Sequence, residues 1–255
     1  MSMLRTLYNR ALSNETRYWL YKLRHKGHFE QLRTRTNHHK KGDFSLRDFT
    51  EKEAIFVHIT KSAGTSVALS LFGALPYHYT AWHYRVIFGR RDFDRYFKFS
   101  FVRNPWDRLY SAYNYLKNGG WDDKDKAWAE KHWAGIGSFE QFVVEWLTRE
   151  RLYSHLHLLP QSYFLFDAKG NILIDYLGYF ETINDDFQII ANRVNPGAEL
   201  SHTNASERGS YKKAYSDKTK RKVAELYQED IQNFGYGFSS LKRKRIVDKK
   251  LIPDE

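Results

Sequence analysis

The chain opens with apolar positions at loosely helical spacing. Leu4, Leu7, Leu12, Trp19, Leu20 and Leu23 stand among polar and basic residues and predict a helix. At residues 54–59 the pattern becomes a short continuous apolar run, the mark of a buried strand. A small-residue turn, Lys61-Ser62-Ala63-Gly64-Thr65-Ser66, follows, and residues 67–72 read as a helix. Strand, turn and helix in that order predict an open α/β sheet. A second strand is predicted at 97–102, where Phe97, Phe99 and Phe101 alternate with Lys98 and Ser100. It passes through Arg103-Asn104-Pro105 into a helix reading WDRLYSAYNYL, with Asn104 as N-cap and Pro105 at the first helical position. Residues 163–167 and 172–180 flank Lys169-Gly170-Asn171 and predict a hairpin. Asn184-Asp185-Asp186 predicts the start of a helix running to Val194. Ser216-Asp217 predicts another, with Val223, Leu226, Tyr227 and Ile231 on its buried face.

These elements divide the chain into three. Residues 1–50 form a helix and a basic arm, 51–238 a folded α/β body, and 239–255 a charged tail; no internal repeat is visible. At 255 residues and 42% hydrophobic content the body has ample material for a core, which excludes wholesale disorder. The absence of cysteine excludes disulfides, thiol nucleophiles and Cys-ligated metals. The longest stretch free of Asp, Glu, Lys and Arg, residues 62–84, holds Gly64, Pro76, His78 and His83 and does not read as a membrane span. A cytoplasmic protein is expected, with the N-terminal helix as a point of peripheral membrane contact. The net charge of +11 resides in two segments: residues 22–41 carry seven basic side chains against one acidic, and 242–250 six against one. Both read as solvated extensions, with polyanion contact as the alternative.

The chemistry gathers at two turns. Gly64 permits close backbone approach, and successive amides opening a helix make an anion cradle. Lys61 adds a charge to it, and Thr65 and Ser66 add hydroxyls. A mononucleotide P-loop needs Gly-Lys-Ser/Thr at the helix start; here the lysine leads the turn instead. At the second turn Arg103 leaves a strand, and Ser111 lies two helical turns on, sharing a face with Asn104 and Asp107. Arg103 and Ser111 are placed to converge on one phosphate; a salt bridge is the other role open to Arg103. Three histidine and carboxylate groups are set aside as metal sites. His25, His28, His38 and His39 lie in the basic arm; Asp122, Asp123 and Asp125 lack the remaining residues of a calcium loop. His155 and His157 are read as pointing to opposite sides of a strand.

Taken together, the two turns resemble a known family. FVHITKSAGTSV resembles the 5′-phosphosulfate loop of the sulfotransferases that use 3′-phosphoadenosine 5′-phosphosulfate (PAPS), and FSFVRNPWDRLYSAY resembles their 3′-phosphate motif. Order and spacing are similar to the carbohydrate branch, family 2, which includes heparan and chondroitin sulfotransferases. The downstream segments PQSYFLFDAKG, YLGYFETINDDF, SHTNAS and ELYQEDIQNFGYGF are similar too, so the resemblance covers about residues 53–238. It implies a P-loop-like open parallel sheet flanked by helices, carrying a helical and basic N-terminal extension. It also implies sulfuryl transfer from PAPS, leaving PAP, to a hydroxyl of a saccharide or glycoconjugate, without a metal and without nucleic acid as partner. On that resemblance Lys61 stabilises the departing bridging oxygen. Ser62, Ala63, Gly64, Thr65 and Ser66 line the 5′-phosphate, and Arg103 and Ser111 hold the 3′-phosphate. Asn204, Ser206, Arg208 and Tyr211 close over the nucleotide. His78, ahead of the 3′-phosphate motif, is the expected base, with His83 and Glu181 as alternatives. Two departures stand out. Thr60 occupies the position where the family usually has proline, which predicts a less rigid turn, and the Arg-Lys-Gly loop of the phenol and steroid branch is absent. A nucleotide kinase or NTPase on a related scaffold and a non-catalytic polyanion-binding protein are the competing readings. Trp82, Trp121, Trp128 and Trp133 are candidate sugar platforms.

Overall fold

The computed structural model describes residues 14–201 and 211–244. Leu4, Leu7 and Leu12, the loop residues Asn204, Ser206 and Arg208, and the end of the basic tail lie outside them. At the centre is a three-stranded parallel sheet of β1 (Ala54–Val57), β2 (Phe97–Val102) and β3 (Tyr176–Tyr179), in that order. Phe56 pairs with Phe99 and Phe101 with Gly178, so β2 is hydrogen-bonded along both edges. Helices cover both faces of such a sheet, which buries even the polar half of the β2 alternation. Lys98 is buried, its ammonium satisfied by the carbonyls of Phe93 and Tyr96 and by Asp175. Ser100 Oγ donates to Val57 O across the sheet at 2.7 Å.

Helices connect and flank the strands: α1 (Asn14–Arg24), α2 (Lys26–Thr34), α3 (Arg47–Glu51), α4 (Gly64–Phe72), α5 (Ala81–Arg95), α6 (Pro105–Lys117), α7 (Asp123–His132), α8 (Ile183–Val194), α9 (Asp217–Leu226) and α10 (Gln228–Phe234). The cap of α6 forms as expected: Asn104 Oδ1 accepts from Trp106 N–H, with Pro105 in the first turn. Ser216 caps α9 by accepting from Thr219 N–H. Two local expectations are corrected. Of the predicted hairpin only one antiparallel bridge survives, Phe166 to Ile172, closed by three bonds from Lys169 and Asn171 onto Asp167. Residues 162–165 form a helical turn, with Phe164 and Leu165 in the core, and β3 pairs in parallel with β2 instead. At α8, Asp186 is buried and does not cap the helix. It accepts from Tyr176 OH, Tyr179 N–H and Thr182 Oγ1 and pairs with Arg243, so it ties β3 to the helix that follows.

The described part of the arm packs onto the body. Phe29, Leu46 and Phe49 are in the main core, and Ser45 N–H and Leu75 N–H exchange backbone bonds with Leu75 and Asp43. On α1, Trp19, Leu20 and Leu23 are exposed. A second aromatic core lies between α6, α7, residues 139–147 and α9, with Trp106, Tyr113, Trp133, Phe142 and Tyr227 at its centre.

Candidate active site

Each strand of a parallel sheet delivers its next residues to the carboxyl edge, where open α/β sheets place their ligand crevices. Here β1 is followed by His58 and the 60–64 turn, β2 by Arg103, and β3 by Phe180. All of them except Ser62, which is buried, line one cleft of about 810 Å³, which also holds Thr65, Ser66, His78, Ser111, Tyr115, Trp121, Asp125, His155 and His157.

The turn between β1 and α4 is tightly wound. Lys61 and Ala63 both adopt the left-handed region, at φ 67° and 60°, a conformation that costs a residue bearing a Cβ about 1–2 kcal/mol. Strain of this kind persists where the surroundings over-determine the backbone, and Arg108 of α6 does so. Its fully buried guanidinium donates to Thr60 O, to Thr60 Oγ1 and to Leu159 O. Thr60, at the position of the family's proline, gives Arg108 a hydroxyl to hold as well as the carbonyl. Ser62 is buried with its hydroxyl unpartnered. The helix opened by this turn has no side-chain cap from its N-cap residue Ala63 and no acidic residue in its first turn, so its dipole favours an anion there. Gly64 is required by close approach. A Cβ there would lie 1.9 Å from His58 Cδ2 and 2.2 Å from its Nε2. Gly64→Ala is expected to destabilise the protein by about 1–3 kcal/mol through overpacking. Adding His58→Ala should recover most of that loss in a denaturant melt; equal losses in the single and double variants would refute the contact.

The Lys61 Nζ lies 3.8 Å from the centre of the Tyr115 ring. Burial, and then the charges of Arg103 and Arg108, bring its ammonium down to about 8. Arg103 is buried, and Gln161 clamps its backbone, accepting from Arg103 N–H and donating to Arg103 O. Its guanidinium makes a two-bond contact to Asp107, donates to Lys61 O and lies over Phe180 at 4.2 Å. Of the two roles open to Arg103 in the sequence, the structure shows the salt bridge, to a carboxylate one helical turn on, while the residue also lines the cleft. Ser111 lines the cleft from the same face of α6.

His78 is in the cleft with its Nδ1 2.9 Å from His58 O. A carbonyl only accepts, so Nδ1 carries the proton and Nε2 keeps its lone pair. Burial, more than any other influence, lowers the His78 pKa, so the neutral ring persists through pH 7. His83 is placed elsewhere: it is exposed, bonds Thr80 through Nδ1 and backbone N–H, and is not among the cleft residues. Glu181 accepts from Asn104 N–H and Tyr236 OH outside the cleft, and Tyr211 gives its hydroxyl to Phe238 O in the second core. Of the four candidate tryptophan platforms only Trp121 lines the cleft, and Trp133 is buried in the second core.

Sequence reasoning missed a cluster opposite the Lys61 turn. Residues two apart in a strand share a face, so the reading of His155 and His157 as opposed was unsound even for a strand. They lie in a turn, stacked at 5.2 Å, with Nε2 atoms 3.3 Å and 3.9 Å from the two oxygens of Asp125. Asp125 also accepts from Trp121 N–H. Burial would raise its carboxyl, but His157, the Trp121 amide and the His155 charge outweigh it and hold it at about 2. Burial brings His157 down to about 4. Repeated His and Asp in 122–157 was the only available signal, and it required the third dimension to be read. Among the described residues no group of three or more His, Asp or Glu is placed to hold a metal ion.

The start of α4, a lysine at the head of the turn, a clamped arginine and a neutral histidine thus line one cleft. The sequence model of the sulfotransferase family matches residues 81–237, and the chain belongs to that family. The matched span begins beyond Lys61 and His78 and takes in Arg103 and Ser111. An uncharacterized protein of Archaeoglobus fulgidus is 28% identical over 134 residues, spanning 52% of this chain and 97% of its own. No solved structure matches the chain.

Proposed function

We propose that the protein transfers the sulfuryl group of PAPS to a hydroxyl of a carbohydrate acceptor, in the manner of the family 2 branch. The observation that carries this reading is the joint placement of the Lys61 turn, Arg103 and Ser111 around one cleft that also holds a base-competent His78. The cradle fits such a donor: Gly64 leaves no Cβ between the turn and His58, the N-cap residue Ala63 makes no side-chain cap bond, and Lys61 brings a charge. When bound, PAPS supplies an activated sulfuryl group on a phosphate leaving group. In-line transfer of such a group needs positioning and charge stabilisation more than covalent help. Gly64, Thr65 and Ser66 would hold the 5′-phosphate, and Arg103 and Ser111 the 3′-phosphate. Lys61 would stay within reach of the charge that develops on the leaving oxygen. His78 Nε2 would take the proton of the acceptor hydroxyl.

The direct test is a thermal-shift comparison of PAP, AMP and ATP–magnesium. Ligand at a hundred times its dissociation constant adds about 2.7 kcal/mol. Stabilisation by PAP alone supports the reading; stabilisation by ATP–magnesium alone turns it toward a kinase. Arg103→Ala is expected to erase the preference for PAP over AMP, since the 3′-phosphate is what distinguishes them and a two-bond guanidinium contact is lost. An Arg103→Ala protein that still discriminates would remove the residue from the 3′-phosphate site.

A further inference from the structure

Strand β2 ends at Val102, which pairs with Tyr179, and its other edge stops earlier, at Ser100 beside Val57. Arg103 is the first residue beyond both ladders, and a side chain takes the place of a strand there. Gln161 Oε1 accepts from Arg103 N–H at 2.8 Å, and its Nε2 donates to Arg103 O at 2.9 Å. That is the exchange of two bonds a facing residue makes in an antiparallel pair. Gln161 is fully buried, and burying a side-chain amide is costly unless its polar atoms are bonded. These bonds all go to the main chain of one residue.

Gln161 is held in its turn. Its own N–H and the N–H and Oγ of Ser162 donate to Asp230 of α10, which is also fully buried. Two residues earlier, Leu159 O accepts from Arg108, whose guanidinium also holds Thr60. The guanidinium of Arg103 is fixed separately. Of its five N–H groups, two are committed to Asp107 and one to Lys61 O, and it lies 4.2 Å from the centre of the Phe180 ring. Two N–H groups remain for a ligand in the cleft that Arg103 lines and Gln161 does not.

We propose that Gln161 is a positioning residue that sets the preference for a 3′-phosphate: it holds the Arg103 backbone so that the two remaining N–H groups meet that phosphate together. This rests on the donor reading above. Arginine selects a phosphate through paired bonds of fixed geometry, and such a contact needs its supporting atoms held to a fraction of an ångström. Asp107 fixes where the guanidinium turns, and Gln161 fixes where the side chain starts. A glutamine that only stabilised the fold would act differently. Its loss would loosen the strand end and the 60–64 turn together, and every nucleotide would bind less well. The proposed 5′-phosphate contacts lie at residues Gln161 does not bond, so a positioning role confines the loss to the 3′-phosphate.

Gln161→Met keeps the length of the side chain and removes both bonds. Affinities for PAP and AMP are measured by titration calorimetry on the full-length protein, at a temperature where circular dichroism shows the variant folded. The wild type is expected to prefer PAP. In Gln161→Met that preference should fall at least about tenfold, the scale of one lost hydrogen bond to a charged group, while AMP binds nearly as before. In an Arg103→Ala background the same substitution should leave the ratio unchanged, since the two residues act through one contact. An unchanged ratio in a folded Gln161→Met protein, an equal loss of both nucleotides, or a further fall in the Arg103→Ala background would each overturn the proposal. Should Gln161→Met not fold, the wild-type protein decides the matter by NMR. The Gln161 side-chain amide, identified by its nuclear Overhauser contact to Arg103 N–H, should shift on adding PAP and much less on adding AMP; equal shifts would refute the assignment. A wild-type protein that binds PAP no better than AMP fails earlier, at the donor site, and takes the role of Gln161 with it.

Discussion

Replacing His78 with alanine is expected to lower turnover by about 10²–10⁴-fold while leaving the PAP thermal shift nearly intact. The tautomer makes the expectation specific. With Nδ1–H committed to His58 O, the ring presents Nε2 as an acceptor in the cleft. The acidic limb of kcat/KM reports the free-enzyme base. Burial depresses the His78 pKa, so that limb should lie below the ordinary histidine value, with activity falling as pH drops through it. A His78→Gln protein retains a hydrogen bond to His58 O but no base, and should be as inactive as the alanine variant. Unchanged turnover in either variant would exclude His78, and retention of activity by His78→Gln alone would reduce its role to packing.

Lys61→Ala is expected to cost about 10²–10³-fold in kcat, the scale seen when one preorganised stabilising donor is removed, and to diminish the PAP shift as well. The pH dependence has a definite sign. Only the ammonium can stabilise negative charge, and in the empty site it titrates at about 8 because of burial and the neighbouring guanidinium groups. Activity at limiting donor should therefore fall as pH rises through about 8, with the fall moving higher once donor anions occupy the site. The same group affects stability in the opposite sense. Its folded value lies below that of the unfolded chain, so the unfolded state binds more protons between about 8 and 10.5, and the empty protein should gain stability across that window. Lys61→Met should abolish that gain. A variant with the wild-type alkaline limb would show that another group titrates there.

Lys61→Ala and Arg103→Ala must also be separable from a collapse of the turn. Arg108 is the internal control, because it fastens Thr60 from beneath without lining the cleft. Its loss should lower the melting temperature first, whereas the cleft variants should melt near the wild type and fail at binding or turnover.

Local patterns determined a good deal by themselves. The apolar run at 54–59, whose strand ends at Val57, the alternation at 97–102, the small residues of the 61–66 turn and the Asn104-Pro105 cap are interactions between near neighbours, and each element appears in the structure where the sequence puts it. The part of the cleft around Lys61 and Arg103 was legible for the same reason: its residues sit at strand ends, and a parallel sheet always brings strand ends to one edge. Tertiary structure alone decided the rest. The 163–180 segment reads as a hairpin by turn chemistry, yet a place beside β2 buries all four residues of β3 and outweighs the local turn. Thr60 is held by an arginine 48 positions away, and Glu181 is taken by Asn104 and Tyr236, partners distant in sequence. The Asp125–His155–His157 cluster joins two segments about thirty residues apart that share no pattern, so no period or motif announces it. Sequence records the chemistry each residue can perform, while packing decides which of those residues share a cleft.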